Sequence, residues 1–274
     1  MRPFGGRLRA ATDQRGQLCV GIDPHASLLD AWGLDDDVAG LEKFAMTCVE
    51  ALAPEVAVLK PQSAFFERHG SRGIAVLERL ITAARDQGAL VLLDAKRGDI
   101  GSTMRGYADA YLDQSSPLAV DAVTVSPFLG FGSLQPMLDT ARAQGAGVFV
   151  VTLTSNPEGS QVQHARCRER SVAGEILGAI RAENVGAEPM GLVGAVVAAN
   201  LASLDEDVAI NGPLLAPGFG AQGGSVDDVR RLFSQVLPTV LPSTSRELLR
   251  VGPDVAALRR ATRLTIDSVR HAVA

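Results

Sequence analysis

The chain has 274 residues, 46% of them hydrophobic and 21% charged, with a formal net charge of −5. That length buries a core large enough for one enzyme-sized domain, and the acidic balance excludes any general attraction to nucleic acid or anionic membrane. Three scattered cysteines, Cys19, Cys48 and Cys167, make neither a disulfide framework nor a CxxC metal site and fit a reducing, cytoplasmic setting. At the N-terminus, Met1 to Ala11 carries Arg2, Arg7 and Arg9 without the apolar segment of a secretory signal. The longest apolar stretch, around Gly191 to Ala199, is too short to span a bilayer.

Short apolar runs then alternate with helical patterns. The expected strands are Leu18–Asp23, Val56–Lys60, Leu90–Lys96, Ala122–Ser126, Val148–Thr154, Leu192–Ala199, Leu214–Gly218 and Thr239–Ser245. Asp35, Asp36 and Asp37 read as a solvated turn after the first strand. Ile74, Leu77, Ile81 and Ala84 form a helical stripe stopped by Gly88. Ile100, Met104, Tyr107, Tyr111 and Leu112 form a second, and Leu134, Met137, Leu138 and Ala141 a third that ends at Gly145. Ser225 and Asp228 have the spacing of a capping box, opening a helix expected to reach Leu237. Eight strands, each with a possible helix after it, predict one α/β domain over residues 1–274: a (β/α)8 TIM barrel with an N-terminal helical extension. A doubly wound open sheet is the rival that counting leaves standing.

The strand ends carry the chemistry. In Leu93-Asp94-Ala95-Lys96-Arg97-Gly98-Asp99-Ile100, residues two apart on a strand face the same way, so Asp94 and Lys96 project into one space. Buried charges persist only when paired or used. Asp23 closes the first strand and Lys60 the second; Thr124 and Ser126 close the fourth, and Thr154, Ser155 and Asn156 the fifth. Catalytic groups of a barrel gather at these carboxyl ends. Bland readings stand beside the sharp ones: Asp23 as a turn residue before Pro24, Asp99 as the cap of the next helix, Lys60 as a surface lysine. The glycines at 218, 220, 223 and 224 have dinucleotide-like spacing but no acidic residue about twenty positions on. They read better as a flexible loop whose amides approach a phosphate, with Arg246 as its charge partner. His25, His69, His164 and His271 are scattered, and His164 with Cys167 makes only a pair, so no metal site is expected.

The run Asp94-x-Lys96-x-x-Asp99-Ile100-x-x-Thr103 resembles the signature of the orotidine 5'-phosphate decarboxylases. Gly21-Ile22-Asp23-Pro24, Lys60-Pro61 and Pro217-Gly218…Gln222-Gly223-Gly224 support it. Thr152 to Gly159 and Thr244-Ser245-Arg246 resemble the longer bacterial (type 2) branch, and the likeness covers almost the whole chain. It implies a homodimeric, cytoplasmic, cofactor-free lyase that converts orotidine 5'-phosphate to uridine 5'-phosphate and carbon dioxide, the last step of UMP synthesis. By the same resemblance, Lys96 delivers a proton to C6, flanked by Asp94 and by Asp99 of a partner subunit, while Lys60 completes a Lys–Asp–Lys–Asp array. Asp23 and Thr103 match sugar contacts, Thr103 lent across the dimer. Ser155 or Thr154 matches the pyrimidine contact, and Pro217, Gly218, Gln222, Gly223 and Arg246 match the phosphate grip. One departure is Ser245, where the widespread branch has a glycine before the arginine. Related sugar-phosphate decarboxylases and epimerases on the same barrel share part of the pattern. An aldolase using Lys96 as a Schiff base fits poorly between two acids, because it needs an uncharged amine.

Overall fold

The eight apolar runs close on themselves. The computed structural model describes residues 2–167, 169–220 and 223–273. Its barrel strands are β1 (Cys19–Ile22), β2 (Val58–Pro61), β3 (Leu90–Arg97), β4 (Ala122–Val125), β5 (Gly147–Leu153), β8 (Val193–Val197), β9 (Leu214–Pro217) and β10 (Val240–Thr244). A two-stranded ribbon, β6 (Arg166–Cys167) with β7 (Arg170–Ser171), lies outside the barrel sheet. All barrel pairings are parallel, and β1 pairs with both β2 and β10 (Cys19↔Ser243, Val20↔Thr244). That last pairing decides against the open sheet. Burial on both faces, complete in β1, β2, β4, β8 and β10, explains why the runs read as continuous apolar stretches rather than alternating ones.

The helices are α1 (Phe4–Arg15), α2 (Ala26–Ala31), α3 (Val38–Leu52), α4 (Ser63–Glu67), α5 (Gly70–Asp86), α6 (Gly101–Leu112), α7 (Gln135–Gln144), α8 (Ser160–Gln163), α9 (Val172–Glu183), α10 (Val226–Phe233), α11 (Arg246–Leu249) and α12 (Val255–Val273). Leu77, Ile81, Ala84, Met137, Leu138 and Ala141 are buried as their spacing predicts, and Gly88 and Gly145 both take positive φ after the helix ends. The Ser225–Asp228 capping box forms in full.

Three expectations need correction. Helix α10 stops at Phe233, not Leu237; the chain passes through a 3-10 turn, Leu237–Thr239, before β10. No helix follows β8: residues 198–213 are irregular, held to α9 by Arg181, which donates to the Ala209 and Asp207 carbonyls at 2.8 and 3.1 Å. Asp205, Asp207, Asn211, Gly212 and Pro213 favour turns there. Nor are the three aspartates at 35–37 merely solvated: Asp37 caps α3 through the Gly40 amide (2.8 Å), and Asp36 pairs with Arg68.

Helix α1 seals the amino end of the barrel. Phe4 and Leu8 join Cys19, Val58, Leu92, Phe149 and Leu241 in an inner apolar cluster. Phe4 meets Phe149 edge-on at 6.0 Å, and a Cβ at Gly147 would lie 2.4 Å from the Phe4 ring, so the ring takes the space a side chain would need. Arg7 anchors the helix on buried Asp121, which also faces Arg85 (3.5 Å) and accepts from the Val91 amide (2.9 Å). Phe4→Ala is expected to lower the unfolding free energy by about 3 kcal/mol in urea denaturation while leaving turnover unchanged, because the plug lies at the end opposite the charged strand ends.

Candidate active site

Asp94 is the hub of the carboxyl end. Its Oδ1 accepts from Lys96 Nζ at 2.6 Å and Thr124 Oγ1 at 2.9 Å, and its Oδ2 accepts from Lys60 Nζ at 3.1 Å. The Gln62 amide, oriented by its hydrogen-bonding surroundings, donates to the Asp94 carbonyl (2.5 Å) and to Oδ2 (3.3 Å). Lys60 and Asp94 are about nine-tenths buried, whereas the Lys96 side chain is 45% exposed. Burial pushes the Asp94 carboxyl up, but the charges and hydrogen bonds of Lys60 and Lys96 more than reverse this and hold it well below the carboxylate range. Burial likewise opposes the Lys60 charge, yet Asp94 and Asp23 hold its ammonium above the ordinary lysine value. Burial pushes the Cys19 thiol up to about 12, so it stays protonated.

The route by which Lys96 reaches Asp94 differs from simple strand alternation. Between Leu93 and Arg97 the β3–β4 register shifts, so that Leu93 faces Val123 but Arg97 faces Val125. The two extra residues make a bulge, and Lys96 sits in the left-handed region at φ 47°. Its amide donates to Thr124 Oγ1 at 3.0 Å, so one hydroxyl holds both the lysine backbone and the aspartate. Sequence reasoning named Thr124 only as a polar residue closing the fourth strand, with no role, and passed over Gln62. Their signals were a polar residue inside the apolar Ala122–Ser126 run and one two positions beyond Lys60.

A cavity of about 160 Å³ gathers Asp23, Lys60, Asp94, Pro217, Gly218 and Arg246, all named from the sequence, with Phe219 and Ser243 to Ser245. Two buried polar atoms there, Asp23 Oδ1 and Ser245 Oγ, have no hydrogen-bond partner among the described residues. Such atoms are costly unless a polar ligand satisfies them. Arg246 is exposed and, among the described residues, forms no ion pair. Gly218 and Gly220 take φ of 94° and 83°, a turn that needs glycine. The amides of Gly220, Gly223 and Gly224 donate to carbonyls of the same loop, so the picture of free amides awaiting phosphate is corrected: they would have to be released first. Gln222 lies outside the described residues.

Thr154 and Ser155 separate clearly. The Thr154 hydroxyl is engaged by Asn156 (2.6 Å) and Gln163 (2.7 Å), while Ser155 is exposed with no side-chain hydrogen bond among the described residues. Asp99 does not cap α6 in the usual way; its Oδ1 accepts from the adjacent Ile100 amide at 2.8 Å, and Ile100 is the N-cap. Among the described residues no ion pair joins Asp99 to a cation, and Thr103 is exposed on the first turn of α6. Ile100, expected in the buried stripe, is 61% exposed. A neighbouring cavity of about 700 Å³, walled by Phe128, Phe131, Val162 and Ile176, has no lysine or arginine among its described lining. Anion chemistry belongs to the smaller, charged cavity. No group of three His, Cys, Asp or Glu side chains gathers to hold a metal among the described residues, and none of the described helices is long and apolar enough to cross a membrane.

The sequence profile of the orotidine 5'-phosphate decarboxylase / HUMPS family matches residues 16–261, the stretch that contains every strand of this barrel. The chain belongs to that family. An orotidine 5'-phosphate decarboxylase of Nocardioides sp. is 65% identical across 93% of the chain and 95% of its own length. That of Streptomyces coelicolor is 61% identical across 100% and 99%. A crystal structure of a candidate orotidine 5'-phosphate decarboxylase from Streptomyces avermitilis superposes with a TM-score of 0.98 at 59% identity, covering 100% of this chain and 96% of that one. The Leishmania donovani OMP decarboxylase gives 0.75 at 27% identity, with 99% of each chain covered.

The hub generates a stability prediction. Asp94→Asn leaves two ammoniums without their counter-charge, Lys60 buried among them, and is expected to cost about 3 kcal/mol in urea unfolding at pH 7. Because the folded pKa of Asp94 lies below its unfolded value near about 4, the ionised carboxylate contributes fully above that pH. The contribution is lost as pH falls through the folded value. The gap between wild type and variant should therefore shrink on acidification below about pH 4.

Proposed function

We propose that this protein decarboxylates orotidine 5'-phosphate to uridine 5'-phosphate, with Lys96 as the proton donor. The observation that carries the reading is the Lys60–Asp94–Lys96 chain at the barrel mouth, in a member of a family whose relatives above 60% identity bear that decarboxylase name. Loss of carbon dioxide from C6 leaves a vinyl carbanion in the ring plane, where the π-system cannot delocalise it. Fixed charge is then the means of stabilisation. An ammonium aimed at C6 both stabilises the developing anion and protonates it. Asp94 holds that ammonium in place through their hydrogen bond, and Lys60 helps keep Asp94 ionised.

The remaining residues divide the substrate among themselves. Asp23, with its unpartnered oxygen, suits a ribose hydroxyl. Ser155, free where Thr154 is engaged, suits the pyrimidine amide. Arg246, with Pro217, Gly218, Gln222 and Gly223, suits the phosphate, whose binding energy drives closure of the loop and exclusion of water. Asp99 and Thr103 act on a partner's site in a homodimer. In support, Asp99 has no cation of its own, and Ile100 (61% exposed), Phe128 (75%) and Leu129 (55%) present apolar side chains on adjoining segments. The free cysteines Cys19, Cys48 and Cys167 favour a reducing, cytoplasmic location.

Turnover is read by the fall in pyrimidine absorbance when orotidine 5'-phosphate is added, and it should survive a chelator. Lys96→Ala should nearly abolish it while uridine 5'-phosphate still binds; a retained rate contradicts the proton-donor role. Arg246→Ala should weaken the phosphorylated substrate and barely affect the nucleoside lacking phosphate, so equal losses count against its assignment. Mixing inactive Asp99→Ala and Lys96→Ala protomers should restore turnover, since each hybrid dimer contains one intact site. Absence of complementation speaks against the shared site.

A further inference from the structure

We infer that Arg97, braced by Glu67, is a positioning residue that fixes the peptide carrying Lys96; the inference rests on the decarboxylase reading and deepens it. The Ala95–Lys96 peptide is held at both ends. Its N–H donates to Thr124 Oγ1 (3.0 Å), and its carbonyl accepts from Arg97 Nη1 (3.1 Å). This is the peptide that enters the left-handed residue, where φ is 47°, a conformation that persists only when its surroundings over-determine it. A guanidinium gripping the carbonyl supplies that constraint.

Arg97 is itself fixed from three sides. Its Nη2 pairs with Glu67 Oε1, which also accepts from Ser63 Oγ. Its guanidinium carbon lies 5.8 Å from the centre of the Tyr107 ring on α6. Its own carbonyl accepts from the Ser126 amide at 2.8 Å, tying the end of β3 to the residue after β4. Ser63 and Glu67 begin and end α4, the short helix directly after the strand that carries Lys60. The β2–β3 ladder runs only through Val58↔Leu90 and Leu59↔Val91, followed by the single bridge Gln62↔Asp94. The Arg97–Glu67 pair therefore links the two strand ends where regular pairing has ceased, and holds the lysine-bearing segments at the separation Asp94 spans. A lysine at position 97 would keep the charge but lose the two-pronged grip on carbonyl and carboxylate.

The test compares kcat on orotidine 5'-phosphate with the Kd for uridine 5'-phosphate, measured by titration calorimetry. Arg97→Ala should lower kcat by about 10–100-fold and leave that Kd essentially unchanged. Added guanidinium ion should restore part of the rate where sodium chloride at equal ionic strength does not, and Arg97→Lys should fall between. Glu67→Gln should show a smaller loss of kcat with the same unchanged Kd. A full-rate Arg97→Ala, or a loss shared equally by product affinity, overturns the inference. Should the alanine variant not fold, Glu67→Gln decides, and an unchanged kcat there overturns it. A wild-type chain that releases no carbon dioxide from the substrate sinks the functional reading, whereas an active wild type beside full-rate variants sinks this inference alone.

Discussion

A carboxylate wedged between two ammonium groups is the constraint on which the site depends. Asp94 is largely buried, and so is Lys60, so neither charge would be tolerated alone in the barrel mouth. Together they form an ion pair, and the other carboxylate oxygen of Asp94 accepts from Lys96 as well as from Thr124. The lysine the proposed chemistry needs is thus held by the same interaction that makes the buried charges admissible. Removing either buried partner would strand the other.

That arrangement shapes the backbone around it. An ordinary strand would keep pairing to its end, but β3 takes up two extra residues and turns Lys96 into the left-handed region. The strain sits at the lysine proposed as proton donor, where it constrains the direction of the side chain. Elsewhere the barrel is conventional: parallel strands buried on both sides, a plug at the amino end, and polar residues collected at the carboxyl end. Stability and chemistry occupy opposite ends of one fold, so the plug formed by Phe4, Leu8 and Arg7 is free to be purely structural.

Much of this was legible in the residues, for identifiable reasons. Strands such as Val193–Val197 are buried on both faces and so appear as unbroken apolar runs, and polar residues such as Asp23, Lys60 and Asp94 mark the carboxyl ends of the first three. Closure was not legible, because it depends on β1 meeting β10 across more than two hundred residues, which no local pattern encodes. Residues 198–213 were read as room for a helix; their turn-forming residues and the grip of Arg181 on their carbonyls make them irregular instead. Alternation placed Asp94 and Lys96 together correctly, but through a geometry the structure replaces with a bulge, since a register shift is a property of two strands. Ile100 has the spacing of a core residue and yet is exposed, because a stripe alone does not tell which apolar face the fold covers.

The most direct test of the central claim follows the hydrogen at C6. In deuterium oxide, the neutral amine form of Lys96 should take the C6 proton of bound uridine 5'-phosphate, exchange it with solvent and return a deuteron, the microscopic reverse of protonating the carbanion. Proton NMR should show the C6 signal fading with wild-type protein and persisting with Lys96→Ala. Equal fading with both proteins would contradict the account, because the proton would then come from some other group.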